Sequence, residues 1–291
     1  MNNFIAVNTP LLNGNEKKYL LQCIESGWIS SEGHFVKQFE EEFSKYCNQT
    51  YGAAVSNGSV ALDIAVKSLK EEYRWKDNDE IIIPSFTIIS CAQSIIYNKL
   101  KPVFVDADPI TWNVDTNLIE QAITPKTRAI MVVHIYGLPT DMNPVLNLAK
   151  QYNLKIIEDA AQSHGQKYYD RVCGSFGDVA TFSFYSNKHI TTGEGGMIIT
   201  STKSIFDRCK YYRNLCFKEE ERFVHNDLGW NGRMSNLQAA IGLAQLEQLE
   251  KFITIKKRMG QMYKKLLDGI PAFLPIGKTN YADNHYWVYG I

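Results

Sequence analysis

Lys188 stands in the run Phe182-Ser183-Phe184-Tyr185-Ser186-Asn187-Lys188, between an apolar stretch and the glycine-rich turn Thr191-Thr192-Gly193-Glu194-Gly195-Gly196. Upstream, Ile156-Ile157-Glu158-Asp159-Ala160-Ala161-Gln162 places an aspartate at the end of another apolar run. Taken singly, a lysine is a solvated surface residue, and an aspartate at a strand end is a helix cap or half of an ion pair. Together they point further. A lysine amine forms a Schiff base with a carbonyl, and a carboxylate can hold a pyridine nitrogen protonated so that the ring accepts carbanion electrons. That pairing is the protein's half of pyridoxal-phosphate chemistry. Ser183, five residues before the lysine, can donate to a phosphate, and Gln162, three after Asp159, can reach a ring hydroxyl or be an ordinary polar helix residue.

Two further positions fit the same chemistry. Ser56-Asn57-Gly58-Ser59 joins a strand pattern to a helix pattern, and free N–H groups at a helix start suit a phosphate where glycine allows close approach. Alone, that segment reads equally as a plain helix cap. Phe86 follows Pro84-Ser85 at another strand end and can stack on an aromatic ring or fill the core.

The elements that must position these residues alternate between short β-rich runs and helical patterns. Strands are predicted over 51–55, 80–83, 102–105, 129–134, 154–158, 179–184 and 196–200, with helices over 60–69, 88–97, from Asp115 toward Ala122, and over 144–152. This order predicts an α/β fold, a mostly parallel sheet flanked by helices, with ligands at the carboxyl ends of the strands. From Ser235 the pattern changes to two long helices, 235–249 and 250–267. Residues 1–249 are therefore read as one large domain and 250–291 as a linking helix with the start of a small C-terminal domain. The alternation Tyr286-Trp287-Val288-Tyr289 predicts that domain's first strand, left in mid-course.

Bulk composition is that of an ordinary soluble enzyme: 45% hydrophobic and 21% charged among 291 residues, with Lys+Arg and Asp+Glu both at 31. A balanced charge without a basic stripe argues against a nucleic-acid partner. Six scattered cysteines contain no C-x-x-C pair, and the six histidines form no cluster at metal-ligand spacing, so no metal is expected. The opening Met1-Asn2-Asn3-Phe4 lacks the layout of a signal peptide, and the apolar stretch 81–96 is too polar to span a bilayer. The expectation is a soluble, cytoplasmic protein.

Several blocks together resemble the sugar aminotransferases of the DegT/DnrJ/EryC1/StrS family. They are Gly27-Trp28-Ile29-Ser30-Ser31-Glu32-Gly33, Val55-Ser56-Asn57-Gly58-Ser59-Val60-Ala61-Leu62 and Pro84-Ser85-Phe86-Thr87. Val133-His134-Ile135-Tyr136-Gly137, Glu158-Asp159-Ala160-Ala161-Gln162 and Asn187-Lys188 through Met197 continue the series. It closes with Asn231-Gly232-Arg233-Met234-Ser235-Asn236 and Gln238-Ala239-Ala240-Ile241-Gly242. The Gly27–Gly33 block is most like that of the perosamine-forming branch, whose sugars are GDP-linked and serve glycans such as O-antigen.

The resemblance implies a fold-type I aminotransferase with pyridoxal 5'-phosphate as cofactor. It implies Lys188 as the catalytic, Schiff-base lysine, Asp159 on the ring nitrogen and Gln162 near the ring hydroxyl. Gly58, Ser59 and Ser183 would hold the phosphate, and Phe86 would stack on the ring. Asn231 would reach the phosphate from the neighbouring subunit, which implies a homodimer. The implied reaction moves the amino group of L-glutamate to C4 of a nucleotide-linked 4-keto-6-deoxysugar. A UDP- or dTDP-linked sugar aminated at C3 or C4 is the alternative, as is a truncated, non-catalytic relative acting as a binding module. Two departures stand out: Gly232 where relatives carry an aromatic, and a chain that ends some tens of residues short of the family's small domain.

Overall fold

In the computed structural model, residues 6–218 and 220–291 are described. The chain begins with α1 (Glu16–Ser26) and α2 (His34–Tyr46), then β1 (Tyr51–Val55), α3 (Gly58–Glu72), β2 (Glu80–Pro84), α4 (Ile89–Tyr97) and β3 (Lys101–Val105). A short α5 (Thr116–Ile119), β4 (Thr127–Val133), α6 (Met142–Tyr152) and β5 (Lys155–Asp159) follow. A small hairpin of β6 (Lys167–Tyr168) and β7 (Arg171–Val172) precedes β8 (Val179–Ser183), β9 (Gly196–Thr200) and α7 (Lys203–Arg213). Two helices, α8 (Asn236–Leu246) and α9 (Leu249–Leu266), complete the regular structure.

Seven strands form one sheet in the order β1-β9-β8-β5-β4-β2-β3. The pairs β2/β3, β2/β4, β4/β5 and β5/β8 are parallel, and β9 runs antiparallel to both its neighbours. The predicted, mostly parallel sheet flanked by helices is the one observed. Successive strand residues face opposite sides, which is why the strand runs are apolar without gaps. Ala129, Met131 and Val133 of β4 pack with α3 and α4, whereas Ile130 and Val132 face α6. In the same way Ile198 of β9 joins the α3 side, and Met197 and Ile199 meet the phenylalanines of α2, Phe39 and Phe43.

Local signals start the helices that matter for the site. Asn57 Oδ1 accepts the Val60 N–H at 2.9 Å and caps α3. Ser235 and Gln238 form a reciprocal capping box at the start of α8. Among the described residues no helix is long and apolar enough to cross a membrane.

The segment from Tyr286 to Tyr289 departs from the expected strand. A strand needs a neighbour's ladder, and here those N–H groups are already taken. His285 N–H bonds to the Gly137 carbonyl at 3.2 Å and Trp287 N–H to the Tyr136 carbonyl at 2.9 Å. Tyr286 itself turns at a φ of 52°. Its ring lies in a notch on α9 at Gly260, where an added Cβ would come within 2.2 Å of it. The aromatic tail is therefore laid against the segment after β4 and against α9, with Trp287 at the carboxyl ends of the strands.

Beneath β5, the Glu158 carboxylate is fully buried and accepts the N–H groups of Gly174 at 2.7 Å, Phe176 at 2.5 Å and Gly177 at 2.6 Å. His134 Nε2 lies 3.2 Å away. Because His134 Nδ1 accepts from the Thr140 N–H at 3.1 Å, the ring proton sits on Nε2 and points at Glu158. Glu158→Leu strands these donors in the core. It should cost about 3 kcal/mol, read as a lower denaturant midpoint for the purified protein.

Candidate active site

The carboxyl ends of β1, β5 and β8 open into a cleft of about 640 Å³, lined by Gly58, Ser59, Asp159, Gln162, Ser183 and Lys188 together with Asn187, Glu194 and Trp287. A groove beside Lys210, Arg213 and Arg233 is no smaller, at about 690 Å³. Volume therefore does not choose the site. Arg213 is already paired with Glu40, and that groove contains no lysine facing a buried carboxylate.

Asp159 closes β5 and is 2% exposed. Its Oδ1 accepts the Ala161 N–H at 3.1 Å, and its Oδ2 accepts the Cys91 thiol at 3.2 Å from α4. Burial, and the charge of Asp159 itself, push the Cys91 thiol well above its usual range, so it stays a donor. Gln162 follows one turn later, its Oε1 fixed by the Tyr136 N–H at 2.7 Å.

Lys188 is carried by the loop between β8 and β9. Phe184 pins both ends of that loop, donating to the Gly195 carbonyl and accepting from the Thr192 N–H. Among the described residues the Lys188 Nζ makes no hydrogen bond and no ion pair; its close partner is the face of Trp287, 3.6 Å from Nζ to the ring centroid. Burial lowers the Lys188 amine to about 8, although the Asp159 charge pulls it upward. Burial also pushes His189 down to about 3 and His164 well below the ordinary range. The lysine therefore has neutral imidazoles behind it.

A phosphate cradle lies opposite. The Asn57 side chain accepts the Val60 N–H, and among the described residues the Gly58 and Ser59 N–H groups at the start of α3 have no hydrogen-bond partner. Gly58 packs so closely on Ser183 that an added Cβ would meet the serine Cβ at 2.8 Å. Ser59 Oγ lies 2.7 Å from Ser90 Oγ. Free donors at a helix start suit a dianion, a buried carboxylate held from behind suits a ring N–H, and a lysine near pKa 8 suits a carbonyl carbon. The residues present fit pyridoxal phosphate.

Two sequence-predicted residues do not line the cleft. Phe86 stands at its rim, edge-on to Tyr136 with centroids 5.9 Å apart. Asn231 is exposed and bridges to Asn214. Conversely, sequence reasoning passed over Trp287, Asn187 and Cys91. Neither Cys91, whose thiol also lies 3.3 Å from Thr87 Oγ1, nor Trp287 carries a local signal; both reach the site by tertiary folding.

The depressed amine has a consequence for stability. Between pH 8 and 10.5 the unfolded chain holds a proton that folded Lys188 has lost, so its penalty is full below pH 8 and fades as pH rises. Lys188→Met should accordingly make the apoprotein more stable than wild type at pH 7. That gain should vanish by about pH 10.5 in denaturant titrations.

The chain's relatives agree with this chemistry. Residues 10–291 match the profile of the DegT/DnrJ/EryC1/StrS aminotransferase family. The GDP-perosamine synthase of Escherichia coli O157:H7 is 43% identical over 289 residues, 99% of this chain and 78% of that protein. The GDP-perosamine synthase of Caulobacter vibrioides is 43% identical over 288 residues, 99% of this chain and 76% of that protein. Two solved structures of GDP-4-keto-6-deoxymannose-3-dehydratase superpose with a TM-score of 0.88 at 26% identity, covering 97% of this chain and 78% of theirs. One is a mutant with bound GDP-perosamine, the other holds a trapped PLP-glutamate geminal diamine. The fold is that of the fold-type I aminotransferases. The chain belongs to the DegT/DnrJ/EryC1/StrS aminotransferase family and is a pyridoxal-phosphate-dependent enzyme.

Proposed function

We propose that the protein transfers the amino group of L-glutamate to C4 of a GDP-linked 4-keto-6-deoxysugar. The observation that carries this is a half-buried lysine facing a buried aspartate across a cleft with a free-donor cradle. The perosamine synthases at 43% identity support the sugar, and the dehydratase with bound GDP-perosamine supports the nucleotide. The PLP-glutamate adduct in the second dehydratase structure supports the donor.

Pyridoxal phosphate, when bound, supplies an electron sink through which an amino group passes from one carbon to another. The chain supplies the rest. The Gly58 and Ser59 N–H groups and the Ser183 hydroxyl would hold the phosphate. Asp159, steadied by Cys91 and Ala161, would accept the ring N–H. Gln162 would lie near the ring hydroxyl, and Phe86, beside Tyr136, is the aromatic placed to pack on the ring. The Lys188 Nζ would remove the proton from the donor's α-carbon in the first half-reaction and deliver a proton to the sugar's C4 in the second. A pKa of about 8 leaves a usable share of free amine near neutrality.

Asn231 is exposed and does not line its own cleft, and Ile88, at that cleft, continues into the exposed apolar residues Ile89, Ile96 and Tyr97. We place a second copy of the chain on those residues, bringing the partner subunit's Asn231 to the phosphate. Mixing Lys188→Ala with Asn231→Ala protein should then restore about a quarter of the wild-type sites, since each mixed dimer has one intact site. Absence of any recovery after subunit exchange would refute the shared site.

The assignment itself is tested by following 2-oxoglutarate release with GDP-, UDP- and dTDP-linked 4-keto-6-deoxysugars. Turnover should favour the GDP sugar with ping-pong kinetics. Lys188→Ala should lower turnover by at least about 10³-fold. Equal rates with a dTDP sugar, or near-normal turnover in Lys188→Ala, would overturn it.

A further inference from the structure

We infer that Trp287 is a positioning residue for Lys188: its indole face holds the amine in the cleft and favours that amine's protonated form. The inference rests on the reading of Lys188 as the reacting lysine.

The geometry is specific. Nζ sits 3.6 Å from the indole centroid, well inside the range of a cation–π contact. Three bonds from different parts of the chain hold the indole in place. Trp287 Nε1–H donates to the Asn187 carbonyl at 2.8 Å, next to the lysine itself. Its N–H bonds to Tyr136, and its carbonyl accepts from Lys256 of α9 at 3.1 Å. Lys256 also bonds Asn8 Oδ1 at 3.0 Å, and the Asn8 amide donates to the same Asn187 carbonyl. The ring edge rests on Tyr136, centroids 6.1 Å apart. A residue that only filled space would not need its main chain and indole nitrogen fastened at both ends.

The other groups around the amine pull in known directions. Asp159 on β5 favours the ammonium, and burial opposes it. His164 and His189 behind the lysine are neutral, while Glu194 and Tyr185 line the cleft mouth. Lys256 of α9 holds the Trp287 carbonyl, and burial lowers its amine to about 8 as well. Removing the π face while keeping the site apolar therefore has one sign: the ammonium loses its partner and its pKa falls.

The test uses the apoprotein, so it does not depend on turnover. Competitive acetylation with acetic anhydride across pH, read at the Lys188 peptide by mass spectrometry, gives the amine's titration. Wild type should titrate near 8. Trp287→Leu should fall by about one pH unit, tenfold in the equilibrium. Trp287→Phe, which keeps a π face and loses the Nε1 bond, should stay with wild type. A midpoint that stays or rises in Trp287→Leu means the indole merely excludes water, and overturns the inference. So does an equal fall in the phenylalanine variant. Should Trp287→Leu not fold, wild-type tryptophan emission still decides. It should show a step near pH 8 that Lys188→Met abolishes, and a flat wild-type titration overturns the inference. Near-normal turnover in Lys188→Ala would instead sink the catalytic reading and leave the contact standing.

Discussion

Two adjacent carboxylates leave the end of the central strand in opposite directions, and both are buried. A carboxylate out of water is costly unless donors replace the solvent. Glu158 meets this demand with three backbone N–H groups from the loop before β8 and with His134. Asp159 meets it with one backbone N–H and the Cys91 thiol. The first set fastens β4, β5 and β8 below the sheet. The second leaves Asp159 with lone pairs directed to the cleft. Strand alternation thus separates an acid tied into the core from one that lines the cleft, in consecutive residues.

The position of the lysine follows from the one reversed strand. A parallel neighbour to β8 would require a crossover of a dozen residues or more, usually helical, to the other end of the sheet. The antiparallel β9 lets the chain return at the same end, through a loop pinned on Phe184 with Lys188 inside it. The amine therefore stays above the carboxyl ends of β5 and β8, opposite the start of α3. Close packing of Gly58 on Ser183 brings that helix start within reach of the same cleft.

Much of this was legible because its signals are local. The strand ends before Ser56, Asp159 and Lys188 are marked by apolar runs that stop at turn residues, and the sheet's mostly parallel character follows from their alternation with helices. What could not be read depends on partners distant in sequence. Tyr286–Tyr289 alternates like a strand, yet the carbonyls of Tyr136 and Gly137 capture its N–H groups and the notch at Gly260 takes its first ring. Cys91 looked like one thiol among six until folding placed it on Asp159. The edge-on contact of Phe86 with Tyr136 likewise joins residues 50 positions apart and has no local signal.

The cover over Lys188 is separated from its floor by 100 residues of chain, the distance from Asn187 to Trp287. During synthesis at about 5–20 residues per second, the cradle, the aspartate and the amine leave the ribosome roughly 5–20 s before the indole that closes over them. For that interval Lys188 exists without the indole that covers its amine in the folded chain, so the face of the site is completed last in the order of synthesis.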